Sequence, residues 1–159
     1  MTRAVALSTA IGLALAAASC SSARPPEELT GLWSTGPASC SAGLGVRFRA
    51  DAIEAVYDRQ VETLFERPRY EVMAQGEDFR VRITYELPKL AGGAQVAGAH
   101  GVIVLARQPG GRIAPSAHAL IDARTGAARV PIAGDPAVRV LSLEPCGAHP
   151  WREVLRGRA

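Results

Sequence analysis

The sequence predicts a single, mainly β domain in which an antiparallel meander closes into a small barrel or sandwich. Three observations predict it. Phe79–Leu87 alternates apolar with polar side chains, as a strand does when one face meets a core and the other meets water. Roughly seven or eight such runs follow one another, with turn signals about every 8 to 12 residues. No helical pattern alternates with these strands, so the sequence does not indicate a parallel sheet.

Length and composition set the class of protein. With 159 residues, the chain has the size of one domain. It is 48% hydrophobic and 21% charged, which excludes a disordered or collagen-like chain. The formal net charge is +3, and it falls to +2 when Arg3 is removed with an export signal. Because the basic residues are scattered, we expect no nucleic-acid partner.

The first residues are typical of an export signal. Arg3 supplies a positive start, and Ala4–Ala18 is an uncharged run that is too short and too rich in alanine to remain in a bilayer. The motif Ala17-Ala18-Ser19-Cys20 resembles the lipobox of bacterial lipoproteins. The resemblance implies that residues 1–19 are removed and that Cys20 is acylated. Because Ala17 stands where leucine is usual, cleavage by an ordinary signal peptidase after Ala16 or Ala18 remains open.

The residues after Cys20 extend this prediction. In lipoproteins an aspartate at the next position retains the protein at the inner membrane, and here Ser21 occupies that position. The resemblance therefore implies an anchor in the outer membrane, with the protein on its periplasmic face. Residues 20–28 contain two prolines and no apolar periodicity, so we expect a lipid-anchored tether that does not pack. A single β-rich domain then covers residues 29–159.

The cysteines favour the same compartment. Acylation of Cys20 leaves Cys40 and Cys146, an even pair in an oxidising environment. A bond between them closes a loop of about 106 residues, which is worth on the order of 4 to 5 kcal/mol in the chain-entropy account. A catalytic or metal-binding thiol pair is the alternative, although Cys-x-x-Cys spacing and a basic neighbour are both missing.

Turn signals divide the chain into hairpins. Gly76-Glu77-Asp78 separates two arms of one hairpin, Pro109-Gly110-Gly111 separates those of another, and Thr125-Gly126 and Gly134-Asp135-Pro136 mark later turns. The strands predicted around these turns are Val46–Arg49, Arg69–Gln75, Phe79–Leu87, Gly101–Gln108, Ile113–Asp122, Arg129–Ile132 and Ala137–Leu143. Pro88–His100 is predicted to be a long loop, either mobile or functional.

Two segments carry helical patterns. Between Asp51 and Glu66 the apolar residues recur with helical spacing and Asp51 with Glu54 suggests a capping box, which favours a helix over 52–66. Two strands, Ala52–Tyr57 and Val61–Glu66, are the alternative, because β topology overrides local propensity. Near the end of the chain, Pro150 precedes apolar residues spaced as in one short helical turn, which we expect to cover an edge of the barrel.

Motifs for catalysis and cofactor binding are missing. Phosphate-binding loops, nucleophile elbows and metalloprotease helices do not occur, so we expect no catalytic residue and no cofactor. His100, His118 and His149 are far apart, which gives a metal site no local support. His118 followed by Asp122 is too common a spacing to indicate a catalytic triad, and we interpret both as exposed strand and turn residues.

Arginine pairs follow the strand alternation. Each pair is predicted to lie on one polar face, namely Arg47 with Arg49, Arg67 with Arg69, and Arg80 with Arg82. The simplest interpretation is a solvated strand face. The alternative is a surface for anionic lipopolysaccharide or phospholipid headgroups.

One further motif points to a family. Gly31-Leu32-Trp33 resembles the Gly-x-Trp motif that opens lipocalin and calycin barrels, and the meander of hairpins, the domain length and a disulfide near both ends are similar to that group. The resemblance implies that Trp33 closes one end of an eight-stranded barrel beneath an arginine of the last strand, for which Arg139 is the candidate. It also implies a cup for a small apolar molecule.

The sequence thus predicts a non-catalytic outer-membrane lipoprotein with a lipocalin-like binding module for an apolar or lipid ligand. The alternative is a lipoprotein that binds another protein, either as an accessory of an envelope assembly or secretion machine or as an inhibitor of a periplasmic enzyme. A hollow barrel would favour the first function and a filled barrel the second.

Overall fold

The computed structural model describes residues 21–58, 60–87, 98–131 and 142–147, and of residues 129–131 it describes the backbone alone. The export signal, Cys20, Arg139 and the predicted C-terminal turn lie outside these residues. The strands are β1 Leu32–Ser34, β2 Leu44–Phe48, β3 Ala52–Tyr57, β4 Gln60–Ala74, β5 Arg80–Glu86, β6 Ala99–Gln108, β7 Arg112–Asp122, β8 Ala128–Pro131 and β9 Glu144–Pro145. A short helix, α1, spans Pro37–Ser41, and 3₁₀ turns span Glu27–Leu29, Gly76–Asp78 and Pro109–Gly111.

The strands form one antiparallel sheet, which confirms the predicted mainly β meander. β1 to β8 pair in sequence order, and β9 joins the other side of β1. The hairpins predicted around Gly76-Glu77-Asp78 and Pro109-Gly110-Gly111 are both present, as β4 with β5 and β6 with β7. Most of the predicted loop at Pro88–His100 lies outside the described residues, and at its end Ala99 and His100 pair in β6.

The predicted helix over 52–66 is wrong, and the two-strand alternative is correct. Residues 52–57 and 60–66 form the hairpin of β3 and β4, in which Tyr57 pairs with Gln60. Asp58 takes a φ of 57° at the turn. The helical spacing arose because both faces of the hairpin carry apolar residues, with Ile53 and Tyr57 on one face of β3 and Val56 on the other, and because a bulge opposite Ile53 and Glu54 leaves Leu64 of β4 unpaired.

β4 turns a corner in its middle. Its first half pairs with β3, and its second half pairs with β5. Between the two, Arg67 has a φ of 48°, Pro68 follows, and the register shifts between Glu66 and Arg69. The corner lets one strand serve two parts of the sheet, which curl around a common core.

The predicted closure into a barrel is incomplete. The strand order is linear, with β8 and β9 at its two edges. Among the described residues, one bridge links β7 to the chain before β9, where Ile113 and Leu143 exchange two backbone hydrogen bonds of 2.8 Å. Because β9 has two residues, it offers too few backbone groups to seal the edge, and the fold is an open barrel or sandwich.

The two ends of this meander can be assigned from the pairing. Antiparallel neighbours reverse direction at every connection, so alternate connections lie at opposite ends. The connections β2–β3, β4–β5 and β6–β7 lie at one end, together with the 3₁₀ turn Glu27–Leu29, and we call this the packed end. The ends of β3, β5 and β7 lie at the other end, together with the start of β2, and we call this the mouth.

Large apolar side chains fill the packed end and the middle of the sheet. The fully buried members of this core include Leu29, Trp33, Tyr70, Phe79, Val81, Ile83 and Ile113. Directly paired residues share a face, so the inward residues of each strand can be followed across the sheet from this core. This inward face continues to the mouth, where the packing changes.

Candidate functional site

At the mouth, the inward face is apolar and partly open. Here Phe65, Ile103, His118 and Leu120 are half-buried, although their positions face the same interior as the core. At the rim, Leu44 and Tyr57 pair directly with each other, and they expose 39% and 49% of their surfaces. The described part of the mouth is therefore an apolar surface that continues the inward face of the core but is only partly buried.

Tyr85 crosses this surface. Its partner on β6 is Gly101, and a Cβ at that position would overlap the tyrosine ring. Because Gly101 has no side chain, the ring can lie flat across β6 and reach the next strand. A glycine inside a strand often allows such a close approach of another group. Tyr85 is 1% exposed as a result.

The Tyr85 hydroxyl forms a hydrogen bond with Nε2 of His118 on β7. The two ring centroids are 6.1 Å apart, and on its other side Tyr85 stacks against Phe65 with centroids 3.9 Å apart. The pair therefore forms a polar spot bounded by apolar side chains. His118 was expected to be an exposed strand residue, and this interpretation is wrong, because it faces inward and is half-buried.

Burial keeps both groups of the pair uncharged. It raises the pKa of Tyr85 above its ordinary value, and it lowers the pKa of His118 below 6.5. When the Tyr85 hydroxyl donates to Nε2, the neutral imidazole carries its proton on Nδ1; in the other tautomer Nε2 donates and Nδ1 is an acceptor. Nδ1 has no partner among the described residues, and in the first tautomer its N–H can donate to an acceptor on a bound molecule.

Asp122 has a different role. Its carboxylate accepts hydrogen bonds of 2.9 Å from the backbone N–H groups of Arg124 and Thr125. It thus shapes the turn between β7 and β8, as a turn aspartate commonly does.

The Gly-x-Trp residues lie at the start of β1. Gly31 has a φ of +90°, a backbone conformation that favours glycine. Trp33 is completely buried, and its indole N–H donates to the carbonyl of Leu29 at 3.2 Å. The 3₁₀ turn that contains Leu29 and the indole together cover the packed end, while the proposed partner Arg139 lies outside the described residues.

The predicted disulfide is present. Cys40 in α1 and Cys146 just after β9 are bonded, with their Cα atoms 5.4 Å apart. The Cys146 N–H also donates to the carbonyl of Leu32, the first residue of β1, at 2.8 Å. The bond therefore fixes the end of the described chain against its first strand.

The expected tether is partly packed, which corrects the prediction for residues 20–28. Ser22 and Tyr70 exchange backbone hydrogen bonds of 2.8 and 2.7 Å, and Glu27 begins the 3₁₀ turn. The reason is the corner in β4, because β3 leaves the edge of the second half of that strand free for another partner. A groove of about 310 Å³ opens beside this contact, and we call it the N-terminal groove; its lining residues are Ser22, Arg24, Pro25, Pro26, Tyr70 and Val72.

Sequence reasoning missed the Tyr85–His118 pair. Its members are 33 residues apart and share no motif. The available signal was Gly101, an isolated glycine at the start of the apolar run of β6, because a glycine inside a strand often marks the close approach of another group. The sequence alone does not indicate which group approaches Gly101.

Comparison with protein-family models, with curated proteins and with solved structures found no match for this chain. Within the described ranges, no cluster of three or more His, Cys, Asp or Glu side chains is placed to hold a metal ion. None of the helices in the same ranges has the length and apolar character needed to cross a membrane.

Proposed function

We propose that this chain is a lipid-anchored, non-catalytic binding protein of the bacterial outer membrane, and that its mouth holds an apolar or lipid ligand. One observation supports the ligand above all others. The inward face at the mouth combines half-buried apolar side chains with a single hydrogen-bonding pair, Tyr85 and His118. Such a surface, apolar with a few placed polar groups, is typical of small-molecule sites.

The pair also indicates the kind of ligand. An uncharged donor at the floor of an apolar surface suits a molecule with a long apolar part and one hydrogen-bond acceptor, such as a carbonyl or carboxylate oxygen. Leu44 and Tyr57 extend the apolar surface to the rim, where they can contact the rest of such a molecule. A fatty-acid or acyl-ester group satisfies both requirements.

The test is a fluorescence titration with N-phenyl-1-naphthylamine, an uncharged apolar probe, on the detergent-solubilised protein. Leu120→Asn places an amide on the inward face, and we expect at least about a tenfold loss of affinity, or about 1.4 kcal/mol. Ile121→Asn is the matched control, because it changes the next residue of β7 on the outward face. We expect it to alter affinity less than about twofold.

Two results would overturn the ligand site. One is the absence of saturable binding by the wild type, and the other is an equal loss in Leu120→Asn and Ile121→Asn. Competition by hexadecanoate, with its chain and carboxylate, should displace the probe from the wild type.

The anchor is tested separately. The resemblance of Ala17-Ala18-Ser19-Cys20 to a lipobox supports acylation of Cys20, and Cys20→Ala should abolish palmitate labelling and release the protein from the membrane. Labelling that persists in this variant would contradict the anchor. The titration above does not depend on this result.

A second candidate function is binding of an envelope protein through the rim. It is favoured by the direct pairing of Leu44 and Tyr57, whose exposed apolar surfaces form one small patch. Under this alternative, Tyr57→Ser abolishes co-purification of a partner from solubilised envelope, and Leu120→Asn has no effect on it. Under the ligand-binding proposal, Leu120→Asn weakens binding of the probe more than Tyr57→Ser does.

A further inference from the structure

The chain emerges from the domain at a defined place. Ser22 is fixed to β4 by two backbone hydrogen bonds with Tyr70. Cys20 precedes Ser22 by two residues, which span at most about 7 Å. A lipid on Cys20 would therefore enter the bilayer within a few ångströms of the N-terminal groove.

Several exposed arginines of the described residues form no ion pair, and one of them, Arg24, lines the groove. In each of the three arginine pairs, one member forms an ion pair: Arg47 with Glu54 at 2.9 Å, Arg82 with Glu71 at 3.1 Å, and Arg67 with Glu86. The other members, Arg49, Arg69 and Arg80, are exposed and form no ion pair with any described residue.

Two of these arginines adjoin Tyr70 through their backbones. Arg69 precedes it on β4, and the carbonyl of Arg49 accepts the Tyr70 hydroxyl at 2.7 Å. Arg24 lines the groove itself, is exposed, and likewise has no ion pair within the described ranges. Burial, and after it the negative charge of Asp51, raises the pKa of the Tyr70 hydroxyl.

We propose that the N-terminal groove and its arginines form a seat for the headgroup of an anionic phospholipid in the bilayer that holds the Cys20 anchor. The inference rests on the proposed anchoring at Cys20. A volume of about 310 Å³ lies at the lower limit of ligand pockets, so the groove suits a glycerophosphate headgroup rather than a whole lipid. Arg24 supplies the cation for its phosphate, and Pro25, Pro26 and Val72 contact its glycerol part.

The seat fixes the orientation of the domain. Tyr70 lies in the half of β4 that leads to the packed end, so this end faces the membrane. The mouth, at the other end of the same strands, faces away from the bilayer that carries the anchor. A ligand would then enter from the aqueous side or from an opposing membrane.

The test uses the acylated protein in two kinds of liposome, one of phosphatidylcholine alone and one with equal parts of phosphatidylglycerol and phosphatidylcholine. Hydrogen–deuterium exchange is followed in the peptides that contain Ser22 and Tyr70. We expect exchange at least about threefold slower in the phosphatidylglycerol liposomes, because each arginine near an anionic surface strengthens attraction about fivefold. The difference should diminish at 1 M salt, where the screening length is about 3 Å.

Charge reversal supplies the matched comparison. The double variant Arg24→Glu with Arg69→Glu should exchange at the same rate in both liposomes. Arg124→Glu, which reverses an exposed arginine in the β7–β8 turn at the mouth, should retain the difference. Intact mass measurement of the same samples confirms the acyl group on Cys20.

Three results would overturn the inference. They are equal exchange of the wild type in both liposomes, loss of the difference in Arg124→Glu, and equal slowing by 50 mM inorganic phosphate in phosphatidylcholine liposomes, which would indicate a site for a soluble anion. The probe titration at the mouth is made in detergent, so failure of the ligand site and failure of the seat give separate results.

Discussion

At the packed end, the inward residues Trp33, Phe79 and Ile113 expose at most 1% of their surfaces, whereas at the mouth Leu44 and Tyr57 expose 39% and 49%. Both sets lie on the same face of one continuous sheet. The difference shows how one meander can provide both stability and a binding surface. Close packing at one end stabilises the strands, so core side chains need not fill the other end. The strands at the mouth can then keep an exposed binding surface, because the packed end supplies the stability.

The polar groups of the two ends differ in the same way. Trp33 donates its N–H to the carbonyl of Leu29, and Tyr70 donates its hydroxyl to the carbonyl of Arg49, so both satisfy the backbone of nearby connections. Tyr85 instead bonds another side chain, His118, whose remaining nitrogen has no partner in the described part of the protein. The packed end thus uses its aromatic polar groups for structure, and the mouth retains one for a ligand.

Truncation of Trp33 should have the largest effect on stability. Trp33→Ala removes a completely buried ring that the surrounding strands cannot replace, and we expect a loss of about 3 to 5 kcal/mol in the free energy of unfolding. Denaturant unfolding measures it. A change in the free energy of unfolding within about 0.5 kcal/mol would mean that Trp33 does not stabilise the fold.

Removal of the disulfide should have the next largest effect. In Cys40→Ser with Cys146→Ser, the loop of 106 residues is no longer closed, and a loss of about 2 to 5 kcal/mol is expected. Thermal unfolding of this variant beside the wild type gives the value. Free thiols detected in the non-reduced wild-type protein would contradict the pairing itself.

Protonation of His118 should lower stability in mildly acidic solution. Burial lowers its pKa in the folded protein below 6.5, so the unfolded chain binds the proton more readily. The stabilisation is therefore complete above about pH 6.5 and is lost as the pH falls through the lowered pKa of the folded state. His118→Gln should remove this part of the pH dependence below about pH 6.5, measured by urea unfolding at several pH values. Identical profiles for variant and wild type would show that the imidazole is not buried at the mouth.

Substitution at the rim should have the smallest effect. Tyr57→Ser changes a half-exposed side chain, so the free energy of unfolding should stay within about 0.5 kcal/mol of the wild type. A loss above about 2 kcal/mol would show that the rim is part of the core and that the contrast between the ends is false.

The sequence was most informative where alternation was regular. Phe79–Leu87 predicted β5 within one residue at each end, because neither a bulge nor a corner interrupts it. Cys40 and Cys146 were paired correctly by counting. The hairpin of β3 and β4 was obscured by its bulge, and the packing of Ser22 on β4 depends on a corner at Arg67 that local patterns do not encode.

The sequence predicted an apolar binding surface inside the sheet, but it did not predict which residues form that surface. Gly31-Leu32-Trp33 resembles a motif from a family of binding barrels and lies at β1, not on the strands that carry Tyr85 and His118. Tyr85, Gly101 and His118 come from three strands, and their contact follows from sheet register, which a single sequence does not specify at this distance.

The most direct test of the contrast between the two ends is a ¹H–¹⁵N NMR titration of the detergent-solubilised protein with hexadecanoate. We expect saturable shifts for Phe65, Gly101, His118 and Leu120 at the mouth, and unchanged signals for Trp33, Phe79 and Ile113 at the packed end. Shifts confined to the packed end, or no saturable shift in either set, would contradict the account.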